Sequence, residues 1–146
     1  MIFKMPEFIK QKKSNVNWYS ESFYSHNKGY KLSLRVNTAG YGNGKGTDLS
    51  VFLNLMKGPH DDELTWPLSG EYEIELLNQI GDYEHHSLTM SFNTSSNHVV
   101  ARVIEEERTK GSQGYSMFIS HKDLHKTTPT CQYLKDDCLF FQVSKL

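Results

Sequence analysis

Short segments with period-two apolar spacing, separated by turn signals, constrain this chain more than any other feature. KLSLRVN (31–37) sets Leu32, Leu34 and Val36 on one side and Lys31, Ser33, Arg35 and Asn37 on the other. LSVFLNLM (49–56) sets Leu49, Val51, Leu53 and Leu55 against Ser50, Phe52, Asn54 and Met56. YEIELL (72–77), SLTMSF (87–92), VVARVI (99–104), YSMFIS (115–120) and CLFFQV (138–143) are equally short and rich in strand formers. KGPHDDE, PLSG, KGSQG and LKDD punctuate them at the spacing of an antiparallel sandwich. Only SHKDLHK (120–126) reads as helical, with Ser120 and Asp123 forming a weak capping box. The expectation is an all-β chain with one short helical turn near residues 120–126. Its 146 residues form a single domain, 1–146, long enough for a real core without staples.

Charge and leader signals narrow the function classes. Sixteen basic and seventeen acidic side chains leave a net charge of −1, which supplies no basic field for nucleic acid. No apolar run approaches the ~18 residues of a membrane span. The opening MIFKMPEFIKQKK lacks the apolar core of a signal peptide. Cys131 and Cys138 are therefore expected to be free thiols in a reducing compartment, and the Asn93-Thr94-Ser95 sequon to be fortuitous.

The glycine-rich AGYGNGKGTDLSVF (39–52) raises the question of a phosphate cradle. A P-loop places its first glycine five residues before the glycine–lysine pair and a hydroxyl after the lysine. Counting from Gly44-Lys45, those places hold Ala39 and Gly46. A dinucleotide fingerprint requires a following helix, and a strand-like segment follows instead. The stretch is read as the connection of a hairpin joining 31–37 to 49–56, with glycines supplying positive φ.

Other constellations point away from catalysis. His121 and His125 share a helical face, but Lys122 stands where a metalloprotease needs glutamate. His85 and His86 are adjacent and diverge on a strand, and His60-Asp61-Asp62-Glu63 reads as a polar turn. Ser112 lies outside a G-x-S-x-G frame, and Glu105-Glu106-Glu107 reads as a solvated charge run. No cofactor and no metal are expected. What remains is a surface: Phe52 and Arg35 both project from the polar phase of the first hairpin. Aromatic and arginine side chains on such a face are the types enriched at binding hot spots.

Several motifs in order then carry a family resemblance. Residues 23–68 contain Gly29-Tyr30-Lys31, Gly46-Thr47 with Leu49-Ser50, Met56-Lys57-Gly58 and Trp66-Pro67. GYSMFISHKDL (114–124) and YLKDDCLFF (133–141) follow, and MIFKMPEF opens the chain with Phe3 where tryptophan is usual. Together they resemble the C-terminal domain of TNF-receptor-associated factors, the TRAF members of the MATH superfamily. The resemblance implies an eight-stranded antiparallel β-sandwich. It also implies a cytoplasmic, non-enzymatic adaptor that captures short linear motifs of receptor tails or adaptor proteins by β-augmentation. It further implies a homotrimer in the full-length context and a weak trimer or monomer for the isolated domain.

The same resemblance assigns peptide-binding positions. Arg35 matches a peptide-contacting arginine, Phe52 a pocket aromatic, and Ile74 and Phe92 further pocket positions. Gly114 and Tyr115 fall on the strand that pairs with the peptide. Asn37 stands where an aromatic or histidine is common, and Tyr41 where an acidic residue often reads the ligand. A ligand-clamping run of three serines has only Ser95-Ser96, out of register, as its nearest match. Gln113, Tyr41 and Asn37 are thus expected to set a different side-chain preference. The alternative is a MATH substrate-recognition domain that delivers degron peptides to a ubiquitin ligase. An extracellular sandwich is a third class. Any ligase activity would reside in N-terminal modules outside this sequence.

Overall fold

The computed structural model describes residues 1–66, 68–92 and 113–146. The expected strand at 99–104, the Asn93 sequon, Ser95-Ser96, Glu105–Glu107 and Ser112 lie outside the described residues.

Two antiparallel sheets face each other across one apolar core. The first takes the order β1 (Ile2–Met5), β11 (Leu139–Lys145), β6 (Gly70–Leu76) and β7 (His86–Phe92). The second takes the order β2 (Trp18–Tyr19), β4 (Lys31–Asn37), β5 (Asp48–Met56) and β8 (Gln113–Ser120), with β3 (Phe23–Tyr24) also paired to β4. A small hairpin, β9 (Thr127–Thr128) with β10 (Cys131–Gln132), stands apart. Alternation explains which side chains meet. Leu32, Leu34 and Val36 on β4, Leu49, Val51, Leu53 and Leu55 on β5, and Tyr72, Ile74 and Leu76 on β6 all enter the core.

The glycine-rich stretch is a hairpin connection, as its residues predict. β4 pairs β5 from Lys31↔Met56 through Asn37↔Ser50. Gly40, Gly42 and Gly46 take φ of 93°, 59° and 80°, the left-handed region that glycine enters without a steric penalty. The helical turn also forms, as α2 (His121–Leu124), with the Asp123 amide donating to Ser120 Oγ at 3.1 Å.

A second helix, α1 (Phe8–Ser14), corrects the expectation of a single helical segment. Its capping is supplied from afar. The Phe8 amide donates to the Asp137 carbonyl at 3.0 Å, and the Ile9 amide to Asp137 Oδ1 at 2.9 Å. These bonds satisfy amides that an N-cap side chain would otherwise hold. Phe8, buried beneath, fixes the helix to the body.

Candidate functional site

The candidate site is built on β4, β5 and β8. β8 closes one end of its sheet, and among the described residues no strand pairs with its other side. The register carries one row across the sheet: Tyr19 opposite Arg35, Arg35 opposite Phe52, Phe52 opposite Gly114. Alternation puts Arg35 and Phe52 on the face away from the core, where period two expects them.

There they form a stacked cluster with Tyr41. The Arg35 guanidinium lies 4.5 Å from the Phe52 ring centre and 5.6 Å from that of Tyr41. The two rings meet edge to face, 6.1 Å apart. Such a cation is attracted to ring faces and gains more as water is excluded. Tyr41 stays 60% exposed, whereas Phe52 is only 8% exposed. Phe52 is thus the floor and Tyr41 the open wall. Ser33 Oγ, Arg35 Nε and Asn54 Nδ2 are buried on this face without a hydrogen-bond partner, and Ser33 sits opposite Asn54. Buried polar atoms of this kind cost stability until something satisfies them.

The hairpin loop that carries Tyr41 is strapped to β8. Ser50 Oγ accepts from the Tyr41 amide at 2.8 Å and donates to the Ser116 carbonyl at 2.6 Å. The His121 amide donates to Thr47 O at 2.8 Å, and His121 Nε2 donates to Thr38 O at 2.8 Å. The β5–β8 ladder shifts register between Leu49 and Val51, so regular pairing runs only along 113–115 before the bulge. Gly114 is required in that row. A Cβ there would press into the Val51 carbonyl and lie 2.7 Å from Phe52 Cα.

The remaining expected positions separate. Ile74 is fully buried on β6, opposite Val143 and Leu88, in the other sheet. Phe92 is buried on β7 with its ring edge-on to Tyr72 at 5.5 Å. Both are buried core residues among the described elements, so each offers little of its own surface to a peptide. Asn37 is on the right face, but its amide is spent locally: Nδ2 donates to Asn17 Oδ1 and Oδ1 accepts from the Ala39 amide, both at 3.1 Å. These bonds give Asn37 a part in shaping the turn. Gln113 and Tyr115 lie opposite Leu53 and Val51, in the phase turned from Arg35. The Tyr115 hydroxyl donates to the Thr89 carbonyl of β7, joining the two sheet edges beside β8. The main chain of these two residues flanks Gly114 in the Arg35 row.

The histidines that suggest a metal by spacing are drawn to different partners. His121 serves Thr38 while His125 packs edge-on against Phe8, 5.7 Å between ring centres. His85 Nδ1 accepts from the Asn78 amide, and His86 Nε2 donates to the Phe118 carbonyl. Among the described residues, no group of three or more histidine, cysteine or carboxylate side chains could hold a metal ion. No described helix is long and apolar enough to cross a membrane.

Comparison with known proteins agrees with this architecture. The family described as TRAF/meprin, MATH domain matches residues 15–142. The chain is 32% identical over 149 residues to mouse TNF receptor-associated factor 5, covering 99% of this chain and 26% of that protein. It is 32% identical over 127 residues to mouse TNF receptor-associated factor 1, covering 87% and 30%. It therefore spans about a quarter to a third of the length of these curated relatives. The solved structure of Notothenia coriiceps TRAF5 superposes with a TM-score of 0.91 at 29% identity, over 99% of this chain and 72% of that one. The chain belongs to the TRAF/meprin, MATH domain family.

Proposed function

We propose that this chain is the motif-reading domain of a cytoplasmic signalling adaptor. A short extended peptide from a receptor tail or another adaptor pairs with the main chain of 113–115 on the side of β8 that no described strand occupies. Its side chains then reach the Arg35–Phe52–Tyr41 cluster. The observation that carries this reading is the cross-strand row Arg35–Phe52–Gly114, which ends at an unpaired sheet edge among the described residues. An open edge gives main-chain bonds and adjacent pockets give selectivity, the two requirements of strand addition.

Affinity for one peptide is weak in this scheme, because three residues of regular edge offer few bonds and each nets only about 0.5–1.5 kcal/mol. Clustering compensates. A trimer of the full-length protein engaging clustered tails raises apparent affinity by ~10²–10⁴ without any new contact. The domain binds and does not catalyse.

The reading is tested with an array of short peptides and variants of each hit methylated at single backbone amides. Methylation at alternate amides should abolish binding, and methylation at the intervening amides should be tolerated. Hits indifferent to methylation at every position would refute strand addition.

A further inference from the structure

A second concave surface lies away from the β4–β5–β8 face and shares no residue with it. It is a cavity of about 410 Å³ between α1 and the end of α2, lined by Phe8, Ile9, Lys12, Lys13 and His125. That volume falls in the ~300–1,000 Å³ range of pockets that accept small ligands or side chains. Phe8 and the His125 ring form an apolar seat, and Ile9, 58% exposed, stands at the mouth. An exposed isoleucine beside a recessed aromatic has no role in the core.

Lysines predominate on the rim. α1 has Lys10, Lys12 and Lys13 and no acidic residue, in a chain whose net charge is −1. On α2, Lys122 is exposed, while Lys126 is engaged by Asp123 at 3.6 Å. On the α1 side, the Asp137 carboxylate accepts from the Ile9 amide at 2.9 Å and offsets part of this positive charge. Glu7 precedes the helix and is exposed. His125 is held below its ordinary pKa, first by loss of hydration against its neighbours and then by the charges of Lys12 and His121, in keeping with a positive surround.

We propose that this groove is a second docking site, for a short acidic protein segment that seats one aliphatic or aromatic side chain on Phe8 and His125 beneath Lys12 and Lys13. A recessed seat with a basic rim suits a single inserted anchor flanked by carboxylates. A flat anionic membrane would be met by a protruding apolar ridge instead. The site is independent of the strand-addition reading, so either can fail alone.

The test uses fluorescein-labelled acidic dodecapeptides, each with one central Leu, Phe or Trp, on the whole 146-residue chain. Matched peptides carry Asn and Gln for the acids, or Ser for the anchor. Saturable binding is expected only when acids and anchor are both present. It should weaken at least ~10-fold in the double variant Lys12→Glu/Lys13→Glu and in Ile9→Asp, and fall with added salt. Arg35→Ala should leave it unchanged, and amide shifts should centre on residues 8–13 and 125. Because the three substituted side chains are exposed or half-buried, the variants should keep the wild-type circular dichroism, and Lys12→Gln/Lys13→Gln serves if the charge reversals do not. No saturable binding, equal binding of the Ser-anchor peptides, or lysine-dependent adhesion to phosphatidylserine vesicles without peptide binding would each overturn the proposal.

Discussion

Arg35 and Phe52 divide two kinds of work at a single cross-strand pair. Phe52 is 8% exposed and floors the cluster, so its truncation removes packing as well as a ring face. Phe52→Ala should cost roughly 3 kcal/mol in urea denaturation, at the lower end of buried aromatic truncations. Arg35 is half-buried, its Nε makes no hydrogen bond, and its guanidinium lies over two rings. Arg35→Ala should therefore cost no more than about 1 kcal/mol of stability, a typical cation–π contribution. Arg35→Lys should fail to restore peptide binding, since a lysine lacks the planar group that stacks. Tyr133 supplies an independent residue-scale check. Burial, then a hydrogen bond and charge from Cys131, then Asp123 and Glu84, push its hydroxyl up to about 12. The folded state holds the protonated phenol more tightly than the unfolded state, whose tyrosines titrate near ~10. The associated stability is thus fully present below ~10 and is lost as pH rises toward 12. Burial also raises Tyr30 and Tyr72, so absorbance titration at alkaline pH should show a late phenolate phase that loses one phenol in Tyr133→Phe.

Among the elements, the hairpin loop and α1 depend on partners far away in sequence. Ser50 is fully buried and links the Tyr41 amide to the Ser116 carbonyl, 66 residues on. Ser50→Ala leaves both groups short of a partner and should cost about 1–3 kcal/mol. Faster hydrogen exchange at the Tyr41 amide, with a lowered Tm, would register it. Unchanged exchange would mean that the loop is held by His121 alone. α1 has the corresponding weakness at Asp137. Asp137→Ala removes one capping bond and should cost about 0.5–2 kcal/mol, exposing the Ile9 amide to exchange while β1 stays protected. These long-range bonds explain what the sequence concealed. FIKQKKS is too short to show a helical period, and no N-cap residue marks its start because the cap comes from residue 137. Period two, by contrast, is a local consequence of the pleat, so β4, β5, β6, β7, β8 and β11 were legible within a few residues of their ends.

On the scale of the whole molecule, the site was half legible for the same reason. Alternation alone separates Arg35 and Phe52 from the core, and the register brings them together. That rule also puts Ile74 in phase with Tyr72 and Leu76, and Phe92 with Met90, all of them buried. Family resemblance assigned these two residues to a pocket, whereas their local pattern marks them as core, and both are buried. Tyr41 was expected from the family resemblance and not from alternation, because a loop side chain has no period. Its position over Arg35 follows from a bond between Ser50 and β8 that only the folded chain creates. The sandwich is proposed to present one face to strand-like peptides and a separate basic groove to acidic segments. In the proposed function, Arg35 reads ligand at the β8 edge. The most direct measurement is a calorimetric titration of one array-selected peptide into wild type and into Arg35→Ala, with matched circular dichroism. At least a ~10-fold loss of affinity in a folded variant is the predicted result, in line with a hot-spot arginine. Equal affinity in the two proteins would contradict it.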